Sequence, residues 1–402
     1  MNQLTAWQAS GTLDPGFGDQ GVALMRKQAR AILPLSDNKL LVASGWVSSS
    51  SRLSVARFHE TGEPDEAFGQ GGIVEIPLDQ GSIPLPNKIL ALENGKYLIA
   101  CSHSGASDRL YLIRLFEGGQ LDKSFAVQGI ATLKIGDIVG GNDVKTIGSP
   151  CLDYSEQFAK IYVGSSFSVG QDIKGIVIGL EENGSPNTEF EGGHVIFEEP
   201  GNRVRIEALA VAGPRVLMAG AITSTTASEG DAFVAGYKKS GKIDTSFGED
   251  GKSIIPGEDG RKLLLNSMTL KPDGTILASG YSKRNDEAQG LLTVHNDDGS
   301  FSSNFNKGTP LYAAFVNTLY FLACHWQEDG KIIVTGMGEN GCLIVARYNP
   351  DGSQDSAFGE GGAAIYRQKA NSSHEDSTLT KDSKTVLLGI QSNQPFALRY
   401  LA

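Results

Sequence analysis

The sequence predicts an all-β fold, a seven-bladed propeller of four-stranded antiparallel blades, from three observations. A turn motif recurs seven times, strand-like runs keep one order within each copy, and the two ends of the chain match complementary parts of a single copy. The fullest copy of the turn reads Asn349, Pro350, Asp351, Gly352, Ser353, Gln354, Asp355, Ser356, Ala357, Phe358, Gly359, Glu360, Gly361, Gly362. It recurs at 11–18, 62–72 and 241–248, in weaker form at 119–125 and 184–193, and degraded at 299–305. The anchoring aromatics Phe17, Phe68, Phe125, Phe190, Phe247, Phe305 and Phe358 lie roughly 50 to 65 residues apart, near or somewhat above the length of a propeller blade.

Each copy is built from four runs. The first ends in a turn such as Pro272, Asp273, Gly274, where Pro presets the first turn dihedral and Gly accepts a positive φ. The second is apolar, as in Lys331, Ile332, Ile333, Val334, Thr335, Gly336. A polar connection leads to a third, alternating run such as Leu343, Ile344, Val345, Ala346, Arg347, Tyr348. The Asp/Phe/Gly turn then introduces a short fourth run, as in Gly72, Ile73, Val74, Glu75, Ile76. Runs of four to eight residues rich in Val, Ile and aromatics between Gly, Pro and Asp read as strands, and no stretch carries a helical period.

The ends supply the topology. Phe396 to Leu401 match a third strand, and Ser10 to Leu24 match the turn and fourth strand with no third strand before them. The two ends are expected to complete one blade together, which removes the open seam of the ring. The whole chain, 1–402, is expected to form one domain.

The pattern Asn, Pro, Asp, Gly, x, x, Asp, x, x, Phe, Gly, x, Gly, Gly, following an Ala-Arg-Tyr strand, resembles the delta-60 repeat, also called the DUF5122 β-propeller repeat of bacteria. The resemblance covers essentially the whole chain, although the copies at Phe125, Phe190 and Phe305 depart from the glycine pattern. It implies a propeller, and it brings no catalytic residues to carry over.

Composition narrows the function classes. The 402 residues include 50 Gly and are 40% hydrophobic, with the Gly in register with apolar runs, as turns require. A formal net charge of −11 argues against a general affinity for nucleic acid or anionic membrane, which needs a basic field. The first residues, Met1 to Trp7, have neither the basic nor the apolar region of an ordinary signal peptide, and no run approaches the roughly 20 apolar residues of a membrane helix. The expectation is a soluble monomer, cytoplasmic by default, with signal-independent export as the alternative. Cys101, Cys151, Cys324 and Cys342 show no CxxC spacing, and Cys101 and Cys324 read as buried free thiols within strands.

No catalytic constellation is present: there is no HExxH, no P-loop and no nucleophile elbow, and the six histidines are scattered. His374 and Glu375 read as part of a solvated polar loop with Asn371, Ser372, Ser373 and Asp376. His325 and Trp326 read as packing at a strand end. Asn349, Asp351, Ser353 and Asp355 alternate as calcium ligands do, with Glu360 at the twelfth position, but Gln354 stands where such a loop needs Gly. The turn is needed in every blade, so calcium is the lesser reading. The repeated Asp14, Asp65, Asp122, Asp244 and Asp355 are expected to accept backbone N–H bonds, with the repeated Phe plugging the space between blades.

If the strands run outward from the centre in chain order, the stereotyped turns after the first and third strands share one face. The connections after the second and fourth share the other, and their variety (48–52, 102–109, 168–174, 223–230, 282–289) marks it as the binding face. The entries to the innermost strands carry Arg26, Lys27 and Arg30, then Asn87 and Lys88, Asp143 and Lys145, Arg203 and Arg205, Arg261 and Lys262. Arg30, Lys88, Lys145, Arg203, Arg205, Arg261 and Lys262 therefore form a candidate cationic collar for an anionic small molecule, an acidic glycan or a carboxylate-rich partner. Trp46, Phe167 and Tyr281, at the ends of second strands, are candidate aromatics for a carbohydrate. The leading expectation is a non-enzymatic binding module for a protein or carbohydrate. The rivals are a hydrolase or lactonase-type propeller with a metal in its channel, and a structural or exported repeat protein.

Overall fold

The computed structural model describes residues 9–25, 28–45, 51–78, 83–104, 107–226, 229–367 and 372–402, which supply 28 strands. Twenty of these form five separate four-stranded antiparallel sheets. One consists of Gln28–Pro34, Leu40–Gly45, Arg52–Phe58 and Ile73–Pro77. The next consists of Pro84–Ala91, Lys96–His103, Arg109–Phe116 and Ile130–Lys134. A third contains Val144–Ser155, Lys160–Val169, Asp172–Glu181 and His194–Phe197. A fourth contains Tyr320–Trp326, Ile332–Met337, Leu343–Tyr348 and Ala363–Tyr366. The fifth joins the chain ends: Val22–Leu24 pairs antiparallel with Gln394–Tyr400, followed inward by Thr385–Gln391 and Ser372–Leu379.

The expectation of seven separate blades is corrected at the remaining eight strands, which form one sheet. Its first half is Asn202–Ala212, Arg215–Ser224, Gly230–Lys238 and Lys252–Ile255. Its second is Lys262–Leu270, Ile276–Arg284, Glu287–His295 and Leu311–Ala313. A single parallel pair, Gly230 with Lys262, fuses the halves. Gly230 N–H donates to Arg261 C=O at 3.1 Å and Gly257 N–H to Asp231 Oδ1 at 2.9 Å. A Cβ on Gly257 would lie 2.3 Å from the Gly230 oxygen and 2.4 Å from that of Arg261, so only glycine lets the connection come this close. The reading without helix is also corrected, by the five-residue helix Ile135–Val139 in the connection between the second and third sheets.

The recurring turn is the joint between successive sheets. Each anchoring Phe is at most 1% exposed. The next copy's glycine packs on it: Gly62 on Phe17, Gly119 on Phe68, Gly184 on Phe125, Gly299 on Phe247 and Gly352 on Phe305. At Gly119, φ is +92° and a Cβ would meet the Phe68 ring at 2.8 Å, so conformation and space both demand glycine. Backbone bonds follow the same circuit: Gly18 N–H to Thr61 C=O, Gly69 to Gly118, Ala126 to Asn183, Glu191 to Ser240, Gly248 to Asp298, Asn306 to Asp351 and Gly359 to Ser10. The last closes the ring.

Around five of these Phe rings sits a charged latch. Arg57, Arg114, Arg215, Arg347 and Arg399 lie over Phe68, Phe125, Phe247, Phe358 and Phe17, 4.6–5.4 Å from guanidinium carbon to ring centroid. Their Nε groups donate to Asp65, Asp122, Asp244, Asp355 and Asp14 at 2.7–2.9 Å. Each carboxylate also accepts the N–H two residues on, as expected of a local cap. Several guanidinium groups reach the next copy, Arg57 Nη1 bonding Glu117 C=O at 3.1 Å. The copies at Phe190 and Phe305 lack the pair. In the copy at Phe305 Val294 and Ser302 stand where the others have Arg and Asp; the neighbouring His295 is fully buried against Phe301, contacting Thr293 Oγ1 at 3.0 Å and Ser253 Oγ at 3.2 Å, and burial lowers its pKa to about 4, so it is neutral at pH 7.

The apolar core lies between sheets rather than within one. Leu41, Val55 and Phe68 of one sheet, for example, pack with Ile99, Ile113 and Leu115 of the next. All four cysteines are free and buried.

Two predictions follow from the latch. Arg114→Met leaves the buried Asp122 with Lys96, 2.9 Å away, as its remaining cationic partner and should cost about 1–3 kcal/mol in denaturant unfolding, while adding Lys96→Met, which strips the carboxylate of both cations, should bring the loss to about 3–5 kcal/mol. Burial raises the pKa of each latch carboxyl, but the turn N–H and cationic partners outweigh it, so all five lie below the ordinary 3.8. Their contribution is complete above that value and drains as pH falls below it, so the melting temperature should hold from pH 7 to 5 and drop steeply below about 4.

Candidate functional site: the cavity on the ring axis

All seven innermost strands line one cavity of about 310 Å³. Each shifts register against its neighbour at a similar level. The shifts lie between Ala29 and Ala31, Pro86 and Lys88, Ile147 and Cys151, Ile206 and Ala208, Leu265 and Ser267, Phe321 and Ala323, and His374 and Asp376. A bulge adds a residue that the ladder does not pair and re-aims its side chain. The added residues Arg30, Asn87, Glu207, Asn266, Leu322 and Glu375, and Ser149 at the middle of the three-residue interruption 148–150, all line the cavity. A polar ring is thus threaded through strands whose neighbouring positions are mostly small and apolar.

The charges are largely neutralised in pairs. Arg30 Nη1 lies 3.4 Å from Glu375 Oε2, and Ser373 Oγ donates to Glu375 Oε1 at 2.7 Å. Arg205 Nη2 bonds Glu207 Oε1. Burial pushes the Glu207 pKa up and Arg205 pulls it part of the way back. Asp376 Oδ2 accepts the Ile32 N–H at 3.0 Å and Oδ1 that of Ser377 at 2.8 Å, stapling the last innermost strand to the first. Burial raises its pKa from 3.8 to about 6, with Lys88 and these N–H donors opposing. Asp153 plays the same part further round, accepting Val211 N–H at 2.7 Å, and burial raises its pKa too. Lys88 is the exception: it is exposed toward the cavity and forms no ion pair with a described carboxylate.

A second polar chain staples two innermost strands. His374 Nε2 contacts Thr335 Oγ1 at 2.9 Å, Thr335 Oγ1 contacts Ser377 Oγ at 2.6 Å, and Ser377 Oγ contacts His325 Nε2 at 3.0 Å. Burial lowers the pKa of His374 to about 4 and of His325 to about 3, so both are neutral at pH 7. The hydroxyls are sealed, with Thr335 at 0% and Ser377 at 4% exposure. The chain joins strands and offers no nucleophile to a substrate.

The expected collar is divided. Arg30 and Lys88 line the cavity, and Arg205 reaches it through Glu207. Lys145, Arg203 and Lys262 stand exposed at or near the starts of three innermost strands, Arg203 Nε donating to Gln171 C=O. Arg261 is half-buried, its Nη1 without a hydrogen-bond partner. Arg26, Lys27 and Trp46 lie outside the described residues. Phe167 is corrected from a surface aromatic to a core residue, 2% exposed. Tyr281 is half-buried, edge-on to Tyr320 at 4.9 Å. The expected loops 168–174 and 282–289 are instead hairpins whose strands run to two-residue turns at 170–171 and 285–286.

His374, Glu375 and Asp376 are not a solvated loop but part of an innermost strand. The lining therefore holds three carboxylates where an excess of cations was expected. Glu207 and Asn266 were missed altogether. Their signal was a polar residue interrupting an otherwise apolar innermost run. The oxygens of the best calcium-like turn are spent locally, Asp351 on Ser353 and Asp355 on Arg347 and Ala357. Among the described residues, no group of three or more His, Cys, Asp or Glu side chains is placed to hold a metal ion.

Comparison with known proteins agrees with the architecture. The sequence profile described as "Domain of unknown function (DUF5122) beta-propeller" matches 35–68 and 327–358, each stretch ending on an anchoring Phe. No curated protein is a recognisable sequence relative. Among solved structures, Chaetomium thermophilum Sqt1 bound to the N-terminus of the ribosomal protein L10 is similar over 98% of this chain and 100% of its own, with TM-score 0.53 and 11% identity. Puromycin hydrolase matches over 96% of this chain but 53% of its own, with TM-score 0.52 and 10% identity. Drosophila Semaphorin 2a matches over 98% and 76%, with TM-score 0.53 and 8% identity. At these identities the likeness is one of fold alone.

Asp376 gives a test of the cavity's electrostatics. A carboxyl whose folded pKa lies above its unfolded value binds its proton more tightly when folded, so its cost grows as pH rises from 3.8 to about 6. The stability of Asp376→Asn relative to the native chain should therefore shift in the variant's favour by about 1–3 kcal/mol between pH 4 and pH 7.5, in paired thermal unfolding.

Proposed function

We propose that this chain, a β-propeller of the DUF5122 repeat family, is a non-enzymatic interaction module that presents the face opposite its recurring turns to a protein partner. The observation that carries the reading is the cationic arc of Lys145, Arg203 and Lys262, exposed near the starts of three successive innermost strands on that face. The whole chain carries −11, so a local cationic arc selects an acidic partner surface and speeds its approach. The opposite face is less available, because its turns are committed to the latch and the inter-copy hydrogen bonds. The family likeness and the Sqt1 complex, in which a propeller holds the end of another protein, support a binding role. This reading counts the eight-stranded sheet as two blades sharing one bridge, which gives the ring seven.

Affinity capture from the cells that make the protein tests the proposal. Lys145→Glu, Arg203→Glu and Lys262→Glu combined should abolish capture of acidic partners, and capture should weaken between about 50 and 200 mM salt. Lys123→Glu, on the turn face, should leave capture intact. An unchanged set of captured proteins in the triple variant would overturn the reading.

A further inference from the structure

We propose that the axial cavity is a separate binding site for a small hydroxylated oxyanion, a sugar acid or sugar phosphate, with Lys88 as the group that holds its anionic end. Once the pairs Arg30–Glu375 and Arg205–Glu207 are formed, two charges remain in the lining; one, the Asp376 carboxylate, has both oxygens engaged by backbone N–H groups, and the other keeps its donors open to a ligand. It is the Lys88 ammonium, exposed toward the cavity and facing Asp376, Asp153 and His325, each of which feels its field. An ammonium inside a cavity binds carboxylate or phosphate more strongly than one on an open surface, because the walls reduce screening.

The walls around it supply the rest of the recognition. The neighbouring Asn87 is oriented through its Oδ1, which accepts Ser102 N–H at 3.2 Å and Ser102 Oγ–H at 3.0 Å. Its Nδ2 donor is then unspent among the described residues, one position from the ammonium. Arg30 Nε is buried with no partner. Glu207 and Glu375, which also line the cavity, present carboxylate oxygens, which suit ligand hydroxyls as donors. A volume of about 310 Å³ admits a molecule of monosaccharide size. Cationic donors and carboxylate acceptors in one cavity are what a sugar acid or sugar phosphate requires.

Lys145, Arg203 and Lys262 do not line this cavity, so failure here is distinguishable from failure of the partner-binding reading. The test is isothermal titration of the purified chain with gluconate, glucose 6-phosphate, glucose and inorganic phosphate. Gluconate or glucose 6-phosphate should bind saturably at one site, and glucose should not. Lys88→Met should weaken that binding at least about tenfold, Lys88→Arg should restore it in part, and Lys145→Met should leave it unchanged. Melting curves of each variant confirm that it remains folded. Failure of both sugar oxyanions to bind, equal binding to Lys88→Met, equal binding of glucose, or inorganic phosphate matching glucose 6-phosphate would each overturn the proposal.

Discussion

The burial of each anchoring Phe, in five copies directly beneath the glycine of the next, is the constraint on which the rest of the ring depends. An aromatic ring buried at an edge between sheets stabilises only if the neighbouring backbone can close on it, and a residue without Cβ at positive φ is what permits that. The arginine laid over the ring then has a fixed position from which its Nε meets an aspartate and, in several copies, its Nη a carbonyl of the following copy. Hydrophobic burial, a cation over a π face and a buried ion pair share the same few atoms. The copies at Phe190 and Phe305 omit the ion pair and keep the buried Phe, so the aromatic contact is the invariant part and the charge an addition to it.

Placing this joint at the recurring turns divides the molecule's labour. The turn face is fixed by interactions between copies, and the residues there have little latitude. The innermost strands are held from outside by their ladders and by the staples of Asp376, Asp153 and the His374–Ser377 chain. Their bulged residues can therefore be polar without leaving the walls unsupported. Among the described residues, the axial donors left without an acceptor are the Lys88 ammonium, Arg30 Nε, Arg205 Nε and Asn87 Nδ2, and spare donors in a lining whose carboxylates are engaged are where an anionic ligand has most to gain.

The repeat, its Phe anchors, the Asp caps and the shared sheet at the chain ends were legible because each is local: a handful of consecutive residues determines the turn, and the ends match fragments of it. The axial lining was not legible to the same degree. A bulge shifts the alternation by one residue, so the polar run from Ser372 to Asp376 reads as a loop although it is a strand. Glu207 and Asn266 were passed over for the related reason that a single polar residue in an apolar run carries no period. The joining of the two halves through Gly230 and Arg261 depends on backbone approach over Gly257, which no side-chain pattern announces. Arg30 and Lys88 were found as members of a collar; that they face the axis while Lys145 and Lys262 face solvent depends on their position relative to each bulge.

The bulges have a consequence for how such a molecule can change. A residue outside the hydrogen-bonded ladder can be exchanged without rewriting the pairing on either side, so the seven axial positions vary independently of the scaffold that carries them. Arg, Asn, Ser, Glu, Asn, Leu and Glu then amount to a short word spelled around a ring, one letter per innermost strand. A chain with the same turns and a different word would keep its architecture and exchange its ligand, and selectivity in such rings could diverge by single substitutions while the turns remain alike.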